Sequence, residues 1–275
     1  MHDYVRAIIL GVIQALAEFL PISSSGHLVL APSLLGGGAS SLTFDVGLHV
    51  GTLSATVIYF WREFWDITTA AVRAIARHGA AISRWDVRAR LGAWIILGTI
   101  PAVITGALLD AFIEEHVRQP WLVGAFLLGF GLLLGLADRA ASRRSGEENV
   151  GAKDALLIGA AQAIALLPGV SRAGITITAA RFLGFDRVTA TRFSFLLSVP
   201  AIAGAAVLTL TKAVVHHEPL DIGVLLAGAI TSAVLGAIVI HFLLRYLSTH
   251  SLRPFVVYRV VLGLLVIALS LSGRI

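Results

Sequence analysis

Long apolar stretches separated by short basic segments make up most of the chain. Six are long enough to cross a bilayer as helices: 44–61, 91–109, 121–137, 193–211, 222–244 and 255–272. At 1.5 Å per residue, about 20 residues cover a hydrocarbon core of about 30 Å. Two further stretches break the pattern. Residues 11–28 read GVIQALAEFLPISSSGHL and residues 159–176 read GAAQAIALLPGVSRAGIT. Each opens with Gly-x-x-Gln-Ala, meets a proline, turns rich in serine and glycine, and then resumes as a short apolar run. Such segments predict broken, re-entrant helices, because irregular backbone at membrane depth survives only where protein or a wet cavity covers it. The expected fold is an all-α polytopic membrane protein with six transmembrane spans and two re-entrant helix pairs.

Composition supports a membrane reading. Hydrophobic residues are 57% of the 275 and charged residues 13%, with a mean hydropathy of +0.88; soluble domains carry about 25% charge. The absence of cysteine excludes a disulfide framework, a thiolate metal site and a cysteine nucleophile. Gln14 and Glu18 interrupt the first apolar run, so the N-terminus is expected to belong to the fold rather than to a cleaved signal. The net charge of +5 has a topological explanation that needs no nucleic acid. If both broken segments enter and leave on one side, segments 62–90, 138–154, 181–192 and 245–259 face the cytoplasm. They hold six, four, three and three of the 21 lysines and arginines, against four on the opposite face. That is a positive-inside bias. The acidic segments 110–115 and 218–221 then fall outside as loops.

This topology gives the two halves opposite orientations. A first repeat is expected over 1–138, a cytoplasmic linker over 139–153 and a second, inverted repeat over 154–275. Residues 44–50 echo 193–199, and LGTIPAV (97–103) echoes AGAITSA (227–233). Inverted repeats bring their breaks together near the bilayer midplane. The run Gly124, Gly129, Gly131, Gly135 offers a homodimer face or close packing within one chain.

The breaks hold Glu18, His27 and Arg172, and ionisable groups at membrane depth are functional candidates by default. Gln14 and Glu18 share a helix face. Ser23, Ser24, Ser25 and Gly26 follow Pro21; Gly169, Ser171, Arg172, Gly174 and Thr176 follow Pro168. Free N–H groups at two facing helix starts, with one arginine fork, describe a phosphate-sized anion pocket. Asp45 and His49 lie four apart at a span start and are weaker candidates for the same cavity. Arg181, Arg187 and Arg192 are expected at the cytoplasmic boundary, and His216-His217-Glu218 in an exposed loop rather than on a metal.

These residues resemble the undecaprenyl-diphosphate phosphatases, the BacA/UppP bacitracin-resistance family. One family motif, (Glu/Gln)-x-x-x-Glu followed by Phe-Leu-Pro-x-Ser-Ser-x-Gly-His, runs from Gln14 to His27; the other, Pro-Gly-x-Ser-Arg-x-Gly-x-Thr, runs from Pro168 to Thr176. The resemblance implies hydrolysis of undecaprenyl diphosphate to the monophosphate in the bacterial inner membrane, at a site facing the periplasm. It also implies a divalent cation, Mg²⁺ or Ca²⁺, held by Glu18. Many relatives carry glutamate at position 14, so Gln14 is a weaker second ligand. On this reading Arg172, the Ser171 hydroxyl and the N–H groups after Gly169 clamp the terminal phosphoryl. Ser24 is the nucleophile with His27 as its base; His27 activating water, or attacking itself, are the competing versions. Gln14, Ser23, Ser25, Gly26, Gly174 and Thr176 complete the substrate cradle. The partners are the polyprenyl diphosphate and membrane lipids. The alternative from architecture alone is a transporter or flippase of lipid phosphates or small anions.

Overall fold

A computed structural model describes residues 2–28, 42–117, 119–215 and 221–273, and all of its long elements are helices. The first half contains α1 (His2–Phe19), α2 (Leu42–Tyr59), α3 (Trp61–His78), α4 (Val87–His116) and α5 (Pro120–Asp138). The second contains α6 (Ala152–Ile164), α7 (Arg172–Phe182), α8 (Arg187–Val215), α9 (Ile222–Leu247) and α10 (Arg253–Leu271).

Among the described residues five helices are long and apolar enough to cross a membrane: α4 through Leu109, α5, α8, α9 and α10. They match five of the six expected spans. The sixth, 44–61, is helical as α2, but Asp45 and His49 lower its apolarity and it is not among the five. Large apolar side chains cover the outside of the bundle, Leu108 at 75% exposure and Val207 at 68% among them, as lipid-facing surface requires. The chain is thus a multi-span helical membrane protein.

Three expectations need correction. The acidic segment 110–115 is not a loop, because α4 continues to His116; its Ala and Glu residues are good helix formers. Segment 62–90 is not simply a connection, since it contains the amphipathic α3, whose exposed Arg73, Arg77 and Trp65 contrast with buried Ile67 and Ala74. Arg259 does not lie in a cytoplasmic loop: it is fully buried, six residues into α10. Residues 216–220, with His216-His217-Glu218, and Arg118 and Arg274 lie outside the described residues.

The helices pack in matched pairs. α1 runs along α9 and α6 along α4; α2 and α8 contact each other, and α5 lies along α10. The first two crossings are very close. A Cβ on Gly11 would stand 2.6 Å from the Gly228 carbonyl oxygen, and one on Gly159 only 2.0 Å from that of Gly98. Glycine is required at both, and these contacts bring each broken segment against a helix of the other half.

The basic segments gather at one end. Arg144 makes two bonds to Asp154 (2.9 and 2.6 Å) and covers the Phe185 ring at 4.0 Å. Arg181 is fully buried and donates to the carbonyls of Asp138, Ala140 and Phe185 and to Ser142 Oγ. Arg187 pairs with Asp138 at 2.5 Å, and Arg192 with Glu63 at 2.8 Å and with Glu147. Asp138 Oδ2 also accepts from Leu252 N. Together these bonds join the α5–α6 segment to the starts of α8 and α10 and to α3.

Candidate active site

The two breaks are built alike. α1 ends at Phe19 and helix resumes over 24–28; α6 ends at Ile164 and α7 starts at Arg172. α6 and α7, with 13 and 11 residues, reach about 20 and 16 Å at 1.5 Å per residue, too short to span alone. The residue before each restart is a serine in the left-handed region, Ser23 with φ 79° and Ser171 with φ 71°. Each is nine residues after its glutamine, Gln14 or Gln162. Each serine hydroxyl accepts from the glycine N–H three residues on: Gly26 to Ser23 at 3.3 Å, Gly174 to Ser171 at 3.1 Å. These are N-caps, and they help offset a left-handed backbone that costs about 1–3 kcal/mol.

Glu18 joins the halves. Its Oε1 accepts from Arg172 Nη2 at 2.8 Å and its Oε2 from Ser24 Oγ at 2.7 Å. Gln14 Nε2 donates to the same Oε2 at 3.2 Å, and His49 Nε2 lies 3.5 Å from it. The carboxylate is 4% exposed and Arg172 14%, so the pair is largely shielded from water. A second arginine nitrogen, Nη1, donates to the Ser194 carbonyl of α8 at 3.0 Å. Among the described residues bonded to Glu18, two buried polar atoms are left without a protein partner: Gln14 Oε1 and Arg172 Nε. An orphaned acceptor and an orphaned donor flanking one carboxylate fit a cation and an anionic oxygen respectively.

The expected Ser24–His27 pair is not formed. His27 Nδ1 must donate to the Ser23 carbonyl at 2.7 Å, because that oxygen only accepts. Its Nε2 therefore accepts from the Tyr258 hydroxyl at 2.6 Å. Both ring nitrogens are committed, and Ser24 turns to Glu18 instead. The remaining predicted residues sit at the breaks. Ser25 Oγ lies 3.3 Å from Ser23 Oγ and accepts from Gly169 N at 3.5 Å, linking the breaks directly. Gly169 has φ 96°, and a Cβ there would meet the Val123 carbonyl oxygen at 2.5 Å. Thr176 is wholly buried, its hydroxyl bonding the Arg172 carbonyl (2.8 Å) and Ser194 Oγ (2.6 Å), so it fastens α7 to α8 rather than facing a ligand.

Ser194, Tyr258 and Arg259 were missed from sequence. The signal for Arg259 was available: Pro254 marks a helix start, which places Arg259 inside the following apolar helix rather than before it.

A family model described as bacitracin resistance protein BacA matches residues 7–265. The chain belongs to the BacA family. An undecaprenyl-diphosphatase from Geobacter sulfurreducens is 49% identical over 268 residues, 97% of this chain and 98% of that protein. The undecaprenyl-diphosphatases of Elusimicrobium minutum and a Nocardioides species are 45% and 41% identical and cover 97% and 100% of the chain. The BacA match contains both breaks, so the Glu18–Ser24–Arg172 cluster lies within the shared region.

Proposed function

We propose that this chain hydrolyses undecaprenyl diphosphate to undecaprenyl phosphate and inorganic phosphate in the bacterial inner membrane, renewing a lipid carrier of cell-wall synthesis. The observation that carries the reading is Glu18, which joins a serine hydroxyl of one break to the arginine fork of the other in a chain nearly half identical to an undecaprenyl-diphosphatase.

The head group enters between the breaks while its prenyl tail stays in lipid. The terminal phosphoryl oxygens compete with Glu18 for Arg172, using the unpartnered Nε and a face of the fork. Glu18 is then free to accept the Ser24 proton as Oγ attacks the terminal phosphorus. The bond from that phosphorus to the bridging oxygen breaks, and undecaprenyl phosphate leaves with the electron pair. Glu18 loses its proton to solvent, then takes one from the water that attacks the phosphoserine and returns it to Ser24 Oγ as phosphate leaves. N–H groups after Gly169 and the Ser171 hydroxyl stabilise the equatorial oxygens. His27, held by Ser23 and Tyr258, orients the serine break.

Glu18 and the orphaned Gln14 Oε1 are hard oxygen donors suited to Mg²⁺, which is held through one or two carboxylates beside substrate phosphate, or to Ca²⁺, which would take further oxygens. Such a cation would neutralise charge on the diphosphate.

The two halves, 1–138 and 154–275, are read as inverted repeats with the site opening outward and α2 as the sixth span. The matched breaks, the paired crossings at Gly11–Gly228 and Gly159–Gly98, and the basic cluster at the opposite end support this reading.

The test is phosphate release from undecaprenyl diphosphate in detergent, where no gradient exists. Wild type should turn over, and Glu18→Ala, which removes the proton acceptor, and Arg172→Lys, which removes the donor fork, should each lose at least about 100-fold. Near-wild-type turnover by Arg172→Lys would remove the fork from the mechanism. Single-turnover quenching should trap phosphate on Ser24; its absence would point to direct attack by water.

A further inference from the structure

Arg259 is fully buried in α10, and among the described residues no carboxylate pairs with it. A lone guanidinium inside a membrane protein is costly unless its donors are met. Here main-chain oxygens take four of its five N–H bonds, at least one from each nitrogen. Nε donates to the Leu127 carbonyl (3.2 Å), Nη1 to Pro21 (3.3 Å), and Nη2 to Phe126 (3.4 Å) and Gly169 (3.0 Å). Pro21 and Gly169 are the residues two positions before Ser23 and Ser171, so one side chain grips both breaks at equivalent points. Two glycines make room for it. A Cβ on Gly131 would stand 2.9 Å from Arg259 Cβ, and one on Gly174 2.7 Å from its Nη1.

We propose that Arg259 is a positioning residue for the phosphatase reaction: its planar fork holds the two breaks in register, so that Glu18 and Ser24 of one meet Arg172 of the other. The inference rests on the breaks being the phosphatase site. Neither motif contains Arg259, and it touches none of the reacting groups. The fork matters more than the charge. Carbonyls from three segments are bonded along separate N–H directions in one plane, which an ammonium on a flexible stem does not reproduce.

The test uses the full chain in detergent, with kcat, KM and melting temperature read together. Arg259→Lys and Arg259→Met should keep KM within threefold while kcat falls about 100-fold, the scale of a misplacement near 1 Å. In Arg259→Ala, millimolar guanidinium should restore kcat at least tenfold and ammonium should not. Gly131→Ala, which crowds the Arg259 stem, should lower kcat at least tenfold. Gly135→Ala, which crowds Val256 of the same helix pair at 3.1 Å, should leave it within threefold. If the Arg259 variants fail to fold, this glycine pair decides. An active Arg259→Met, equal losses in the two glycine variants, or rescue by ammonium as well as guanidinium overturns the proposal while wild type still releases phosphate. A folded wild type that releases none overturns the phosphatase reading, and this inference with it.

Discussion

Glu18 has four polar neighbours within 3.5 Å, and only one of them, Arg172, offers it a fixed charge. Position 14 matters for that reason. Its amide nitrogen donates to Glu18 and its oxygen is left bare. Gln14→Glu would remove the donor and place a second carboxylate four residues from the first, on the same helix face. Repulsion between the two makes a cation more necessary and binds it more tightly. In a titration of activity against Mg²⁺ or Ca²⁺, Gln14→Glu should reach half-activation at about tenfold lower metal, with little activity after chelation. An unchanged titration would place the cation away from residue 14. The spacing Gln14–Glu18 made this face legible from sequence, and the anomaly of ionisable residues in apolar runs marked Arg172. The pairing of Ser24 was not legible. Nearness in sequence favoured His27, whereas the helical turn over 24–28 commits both nitrogens of that ring elsewhere. His49 was undervalued because nothing in a linear pattern shows that α2 packs against α1.

At the scale of elements, α7 and α8 meet at a corner capped by Asp186. Its Oδ1 accepts from Thr189 N at 2.7 Å and its Oδ2 from Thr189 Oγ at 3.1 Å, while Thr189 Oγ accepts from Gly146 N at 2.8 Å. Burial pushes the Asp186 carboxyl up, but hydrogen bonds from Ser145, Thr189 and Val188 outweigh it and hold the group below the usual carboxylate value. A lowered folded value stabilises the protein above the unfolded pKa, and that stabilisation is lost as pH falls through the folded value. The cap should therefore hold from neutral pH down to about 4, the unfolded aspartate value, and fail below it. Asp186→Ala should cost about 1 kcal/mol at pH 7 through the lost cap and flatten the decline of melting temperature below pH 4. An equally steep acid decline in the variant would assign it to other carboxylates. Helix ends of this kind were readable only in part. Apolar runs located α5, α9 and α10 to within three residues at each end, because hydrocarbon fixes their length. α3 was hidden because its apolar face is a stripe and not a run, and the ends of α4 and α8 extend into polar sequence that hydropathy does not follow.

The whole molecule makes a claim about sides. Basic segments 138–154, 181–192 and the α9–α10 turn are tied together by Asp138, Arg144, Arg187 and Arg192, so they share one end of the bundle. On the topology proposed above, the positive-inside bias assigns that end to the cytoplasm. Gln119 starts α5 and Arg139 ends it, which sets them on opposite faces of one span. The natural absence of cysteine makes this testable with single replacements. In intact cells, an impermeant thiol reagent should label Gln119→Cys, while Arg143→Cys and His250→Cys should react only after permeabilisation. All three are exposed polar positions outside helices, so the substitutions should leave phosphate release intact. The reverse labelling would turn the site toward the cytoplasm. Labelling of all three from outside would break the inverted-repeat topology, because α5 would then no longer cross the membrane. The expected pattern fixes the direction of α5, hence the side from which α6 and α7 re-enter, and so the face from which Glu18 and Arg172 meet their substrate.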